Sequence, residues 1–203
     1  MYEPMTSILF NTVLAAQPKG SFVLDIGGGN FHYSQLAMDR GMNVLAFEPR
    51  VDLSPKRSGD SLHVRREAVS NINGHAALFY TPFRKYSASI IARATNRHSH
   101  EVIVETVTLD SVCWGMRPVA VVKLDIEGAE PLALQGAECL LHANRPVIFI
   151  EVLNNSIGLE ISKHLPKGYE FYKIDDYNMT VTPMPALAVG DDWNNFMLLP
   201  VGR

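Results

Sequence analysis

Short apolar runs alternate with stretches of helical periodicity along most of the chain. Ile8, Leu9, Val13 and Leu14 recur at helical spacing and predict an amphipathic helix over residues 5–16, closed by Pro18 and Gly20. Apolar runs predict strands at Phe22–Ile26 and Asn43–Phe47, with a helix from Ser34 to Arg40 between them. Leu62–Glu67 and Ala76–Tyr80 are further strands, and the turn-like Asn71–Gly74 predicts that these two form a hairpin. Glu105–Leu109 alternates as a short strand, while Val119–Asp125 and Val147–Val152 are apolar enough for buried parallel strands. Helices are expected at Glu130–His142, with Pro131 in its first turn, and at Ser156–Leu165. Tyr169–Ile174 and Phe196–Leu199 are the last strands.

Strands alternating with helices imply an α/β fold with helices on both faces of a mostly parallel sheet. Ligands of such sheets bind beyond the carboxyl ends of the strands, where strand order reverses. Asp25, Glu48, Glu67, Asp125 and Glu151 all stand at predicted strand ends and are expected along one edge. Two segments interrupt the alternation. Residues 81–100, with Arg84, Lys85, Tyr86, Arg93 and Arg97, read as a surface loop with one helical turn. Residues 175–195, with Tyr177 and Trp193, read as a long connection. Both are candidate substrate loops.

Composition narrows the class. With 203 residues, 47% apolar and 19% charged, the chain suits one soluble domain, residues 1–203, with a proper core. A net charge of −3 offers no general attraction to nucleic acid or to an anionic membrane. Two cysteines, Cys113 and Cys139, make no disulfide framework. Neither a basic leader nor an apolar run near the ~18 residues of a membrane span is evident, so a cytoplasmic protein is expected.

Asp25-Ile-Gly27-Gly28-Gly29-Asn30 follows the first strand. Glycines let the backbone pass a ligand closely, and N–H groups opening the next helix suit a carboxylate or phosphate. His32 stands where a dinucleotide fingerprint has its third glycine, which speaks against NAD. Glu48, some twenty residues on, is placed to accept both ribose hydroxyls of a nucleoside. Glu67-Ala68 is similarly placed to flank a base. Val121-Val-Lys123-Leu-Asp125-Ile-Glu127-Gly128-Ala-Glu130 gathers three carboxylates where a buried strand meets a helix, with Lys123 expected to reach one of them. No Asp-Asn pair of ligand spacing follows, and His98-Ser-His100 has no suitably spaced Cys or His, so no metal site is expected.

These segments resemble the FkbM-type family of S-adenosylmethionine-dependent methyltransferases. Val23–Ser34 is similar to its first motif, and Thr108-Leu-Asp110-Ser with Lys123–Glu130 to its second block. Pro146–Val152 and Asn195–Pro200 resemble its closing strands. Where the family has Gly-Ala-Asn and a later glycine, this chain has Gly28, Gly29 and Phe31. The resemblance implies a Rossmann-like three-layer sandwich, a class I methyltransferase sheet of seven strands with the last inserted antiparallel. It implies S-adenosyl-L-methionine as cofactor, with Asp25 and Gly27–Gly29 at the methionine part, Glu48 at the ribose, Glu67-Ala68 at the adenine and Asp125 at the amine or reacting centre. The expected reaction is O-methylation of a small molecule or carbohydrate hydroxyl, with Glu127 or Glu151 as base and Lys123 orienting an acid. An NAD-dependent oxidoreductase and a catalytically inactive binding module are the alternatives.

Overall fold

The computed structural model describes residues 3–81, 86–92, 100–189 and 194–202. Arg84, Lys85, Arg93, Arg97, His98 and Trp193 lie outside the described residues. The N-terminal helix α1 (Pro4–Ala15) leads into β1 (Phe22–Ile26), α2 (His32–Asp39), β2 (Asn43–Phe47) and β3 (Leu62–Arg65). Next come β4 (Ala68–Val69), β5 (Gly74–Tyr80), β6 (Ala88–Ser89), β7 (His100–Val107) and the short α3 (Leu109–Val112). The second half runs β8 (Val119–Leu124), α4 (Glu130–Gln135), α5 (Glu138–Asn144), β9 (Val147–Val152) and α6 (Asn155–Lys163). It closes with β10 (Tyr169–Asp175), β11 (Thr180–Met184) and β12 (Asn194–Pro200).

The main sheet has the order β11-β10-β12-β9-β8-β1-β2-β3. β3, β2, β1, β8 and β9 are mutually parallel, and β12 enters antiparallel between β9 and β10. Alternation along the central strands sends side chains to two cores. Val23, Val121 and Phe149 pack with Phe10 and Leu14 of α1 and Ala37 of α2 on one face. Leu24, Val122 and Ile150 pack with Leu134 of α4, Leu141 of α5 and Ile161 of α6 on the other. Three layers result.

Several expectations need correction. The sheet has eight strands rather than seven, because Thr180–Met184, read as part of a connection, pairs antiparallel with β10. Pro183 is tolerated there because β11 is the edge strand. The expected hairpin of 62–67 with 76–80 does not form. β3 extends the main sheet beside β2, whereas β5 pairs antiparallel with β7 in a second sheet of order β4-β7-β5-β6. The turn-like segment reverses the chain, but a partner twenty residues further on makes the better ladder. Residues 81–100 contribute strand β6, and no helical turn occurs there among the described residues. The helix expected over 130–142 breaks into α4 and α5 at Gly136, where a Cβ would lie 2.2 Å from the Ser70 carbonyl oxygen.

The Thr108-Leu-Asp110 run, part of the second block of the resemblance, makes structural bonds here. Thr108 Oγ1 caps α3 by accepting from Ser111 N at 3.2 Å. The Asp110 carboxylate accepts from the Cys139 and Leu140 amides at 3.0 and 2.8 Å, capping α5.

Candidate functional site

Strand order reverses between β1 and β8, and the carboxyl ends of these strands carry Asp25 and Asp125. Gly27 has φ +83°, and a Cβ on it would stand 1.9 Å from the Asp125 carbonyl oxygen. No other residue fits between the two strand ends without moving them. Two adjoining cavities open there, both lined by Gly27, Tyr86 and Asp125.

The first is a narrow slot of about 40 Å³. Ile26, Phe47, Leu53, Val69 and Leu78 give it apolar walls, Glu48, Glu67 and Ala68 line one side, and Ala88–Ile90 the other. Its charged groups are held by the protein. Glu48 is buried and accepts from Gly29 N at 2.8 Å and Arg50 N at 3.0 Å, one bond per oxygen. Burial pushes its carboxyl up, and the two amide bonds with the Arg50 charge oppose that only in part. Glu67 is paired with the Arg65 guanidinium through both oxygens. Burial raises it, but the Arg65 bonds and charge outweigh burial and hold it below the usual carboxylate range. Arg66 Nη1 donates to the carbonyls of Glu48, Arg50 and Leu53 at 3.2, 2.9 and 2.9 Å, fixing the loop after β2.

The second cavity is a polar cleft of about 880 Å³. Asp25 at its floor is fully buried and accepts from Ser34 N (3.0 Å) and Ser34 Oγ (2.5 Å), which ties β1 to α2. Burial pushes its carboxyl up against these bonds and the Lys123 charge. Lys123 is 1% exposed, with Nζ 3.1 Å from Asp125 Oδ2 and 5.1 Å from the Tyr33 ring centroid. Burial works against its charge, yet Asp125, Glu3 and Glu151 together raise it above the ordinary lysine value. It is a fixed cation. Glu151 is 8% exposed and its Oε2 has no hydrogen-bond partner. Burial, then Asp125 and Glu127, push it up to about 9 against the pull of Lys123. Glu127, at φ +56°, lines the same cleft. Glu130 sits behind it, with Oε1 accepting from the Ile126 and Gly128 amides at 3.0 and 3.1 Å. Its role is to hold the loop, and burial pushes it up to about 7.

The strand-end carboxylates thus gather as expected, and Lys123 reaches Asp125 as expected. One part of the reading fails. Of the amides opening α2, His32 N bonds to Asn30 Oδ1 and Ser34 N to Asp25, each at 3.0 Å, and before them Gly27 N and Gly28 N bond to the Phe47 carbonyl at 2.9 and 3.1 Å and Gly29 N to Glu48. Phe31, where the resemblance implied a glycine, has the left-handed conformation at φ 57° and buries its ring against Gly28. Such a conformation costs a non-glycine residue about 1–2 kcal/mol, which burial of the ring offsets.

Tyr86 and Ser87 place the first candidate loop at the cleft, whereas none of the described residues of the second lines either cavity. Sequence reading missed the wall built by α1. Pro4, Ser7 and Ile8 line the cleft with Glu3, whose oxygens accept from Tyr33 Oη at 2.6 Å and Asn195 Nδ2 at 2.8 Å. Burial raises Glu3, but Lys123 and these two bonds bring it below the usual range. Asp176 accepts from Thr6 N and Oγ1 at 2.8 and 2.7 Å, pinning the helix to the sheet edge. The only sequence signal was an acid before a proline at a helix start.

An open parallel sheet with one late antiparallel insertion, and a cleft at its switch point, defines a class I methyltransferase-like α/β protein. The methyltransferase FkbM domain matches residues 19–192, and the chain belongs to that family. Membership agrees with S-adenosyl-L-methionine as the cofactor. The structure of an FkbM methyltransferase from Methylobacillus flagellatus KT superposes with TM-score 0.58 at 15% identity, covering 96% of this chain and 47% of that one. This chain therefore spans about half the length of that protein. A TehB-like SAM-dependent methyltransferase from Corynebacterium glutamicum superposes with TM-score 0.52 at 10% identity, covering 97% of this chain and 87% of that one. At these identities the likeness is one of fold. No curated protein matches the chain. Among the described residues, no helix is long and apolar enough to cross a membrane and no cluster of three or more His, Cys, Asp or Glu side chains is placed to hold a metal.

Proposed function

We propose that this chain is an S-adenosylmethionine-dependent O-methyltransferase acting on a hydroxyl of a small molecule or carbohydrate. The observation that carries the reading is the pair of cavities joined over Gly27, one apolar and carboxylate-flanked, the other polar and acidic. The slot suits an adenosine, with Glu48 toward the ribose and Glu67-Ala68 beside the base. Each Glu48 oxygen receives one amide and keeps a second lone pair for a hydroxyl. At about 40 Å³ the slot is too tight for a nucleoside until a wall gives. The wall at Ala88–Ile90 carries β6 of the small second sheet and lies outside the main parallel sheet. Asp25 and Gly27–Gly29 border the methionine part, and Asp125, oriented by Lys123, faces its amine.

The bound donor supplies a sulfonium methyl that is already electrophilic, so the protein's task is alignment and proton removal. Glu151 keeps its proton at neutral pH, which suits contact with the acceptor better than taking its proton. Glu127, across the same cleft, is then the group that receives the hydroxyl proton. Calorimetric titration with S-adenosylhomocysteine and with NAD tests the reading. Binding of the former alone is expected; binding of NAD alone would make the chain an oxidoreductase, and binding of neither would make it an inactive module.

A further inference from the structure

Asn195 stands directly opposite Glu151 where β12 pairs antiparallel with β9. Phe149 and Met197, two positions away on the same strands, pack in the core under α1, so both side chains project to that face. Both residues are more than nine-tenths buried. Asn195 Nδ2 donates to Glu3 Oε1 at 2.8 Å and to Asp176 Oδ2 at 3.3 Å. Carboxylates accept, so these two hold the amide with its nitrogen toward them and Oδ1 turned away.

Oδ1 is buried and has no donor, and the same holds for Glu151 Oε2. Two acceptor oxygens on facing side chains are thus each short of a hydrogen, and leaving both bare is costly. A single proton between them satisfies both. Of the two side chains only the Glu151 carboxyl can carry it. The surroundings favour that proton. Burial acts first, then Asp125 and Glu127 from the loop after β8, with Glu130 of α4 adding to them and Lys123 of β8 opposing. On the other side, Glu3 of α1 and Asp176 after β10 bond to Asn195.

We propose that Asn195 is a positioning residue of the acceptor site: its Oδ1 receives the proton on Glu151 Oε2, which leaves Glu151 Oε1 facing the cleft as an uncharged hydrogen-bond acceptor. The role in the acceptor site rests on the methyltransferase reading, whereas the pairing of the two side chains does not. With its proton engaged by Asn195, Glu151 neither takes the reacting proton nor attracts a cation. It accepts from a neutral hydroxyl or N–H of the acceptor. Glu3, which helps to orient Asn195, lies before the family match at residues 19–192, so α1 sets this group from outside the matched domain.

The test is carboxyl NMR titration of the full chain carrying 13C-labelled glutamate, with the Glu151 signal assigned by its loss in Glu151→Gln. In the parent, Glu151 should stay protonated at neutral pH. In Asn195→Leu, which removes the acceptor at similar volume, its midpoint should fall by about one pH unit, the tenfold effect of one hydrogen bond. Glu3→Gln disturbs the same network but keeps an acceptor for Asn195 Nδ2, and should move the midpoint far less. A Glu151 ionised at neutral pH in the parent, a midpoint unmoved or raised in Asn195→Leu, or an equal fall in Glu3→Gln would each overturn the assignment. If Asn195→Leu does not fold, a crystal structure of the unaltered chain decides. Oε2 and Oδ1 within about 3 Å of each other support the pairing, and a water or a wider gap between them overturns it. Failure of S-adenosylhomocysteine to bind the unaltered chain would remove the methyltransferase reading and leave the pairing to these same measurements.

Discussion

The slot and the cleft are neighbours built from the same sheet edge, yet they treat their carboxylates in opposite ways. In the slot, Glu48 is held by two amides and Glu67 by a bidentate arginine, while Arg66 secures the loop between them. In the cleft, Asp125 and Glu151 crowd around one lysine, and Glu151 keeps an oxygen without a partner. A surface whose polar groups are already satisfied is rigid and presents one fixed shape. A surface with unsatisfied groups stores a cost that a ligand relieves. On the proposed reading the difference is a division of labour: the carboxylate side of the slot is held fixed for the donor while its Ala88–Ile90 wall gives way, and the cleft is left incomplete for the acceptor.

The sharpest break of this comparison is at the residue both cavities share. Gly27→Ala puts a methyl 1.9 Å from the Asp125 carbonyl oxygen at φ +83°. Overpacking and the left-handed backbone together should cost about 3 kcal/mol. The urea midpoint should fall accordingly, and S-adenosylhomocysteine binding should be lost. A variant of undiminished stability would show that the two strand ends are not locked together there.

Glu48→Ala comes next. Losing a charged hydrogen bond should weaken S-adenosylhomocysteine by roughly 1.5–3 kcal/mol, read by calorimetry. Unchanged affinity would remove Glu48 from the ribose role.

The third effect belongs to the cleft, depends on pH and has the opposite sign. Glu151 titrates at about 9 in the fold against an ordinary 4.5. Between those values the folded state holds the extra proton, so rising pH favours unfolding throughout the window. Glu151→Gln removes that penalty. The variant should match the parent below about pH 4.5 and melt higher than the parent above it, by a margin that widens as pH rises through the window. A melting difference that is flat with pH would mean the carboxyl is not held protonated.

Much of this arrangement was legible in the sequence, because strand ends and glycine turns are local signals. Asp25, Glu48, Glu67, Asp125 and Glu151 reach one edge because each ends or follows a strand of the same sheet. The Lys123–Asp125 pair was legible for a related reason: residues two apart on a strand share a face. What escaped depends on contacts between distant segments. Nothing near Glu3 announces Tyr33, thirty residues on, or Asn195 at the far end of the chain. The pairing of β5 with β7 rather than β3 is a choice among ladders that local alternation does not rank. β11 was hidden by Pro183, a residue that argues against a central strand but not against an edge. The amides opening α2 misled because Asn30 and Asp25 take them within the fold, and backbone direction is not written in residue types.

The most direct test of the division of labour is S-adenosylhomocysteine affinity measured side by side in Glu48→Ala and Glu151→Gln. The account predicts a weakened complex in the first and the parent's affinity in the second. Equal losses in both, or a loss confined to Glu151→Gln, would contradict it.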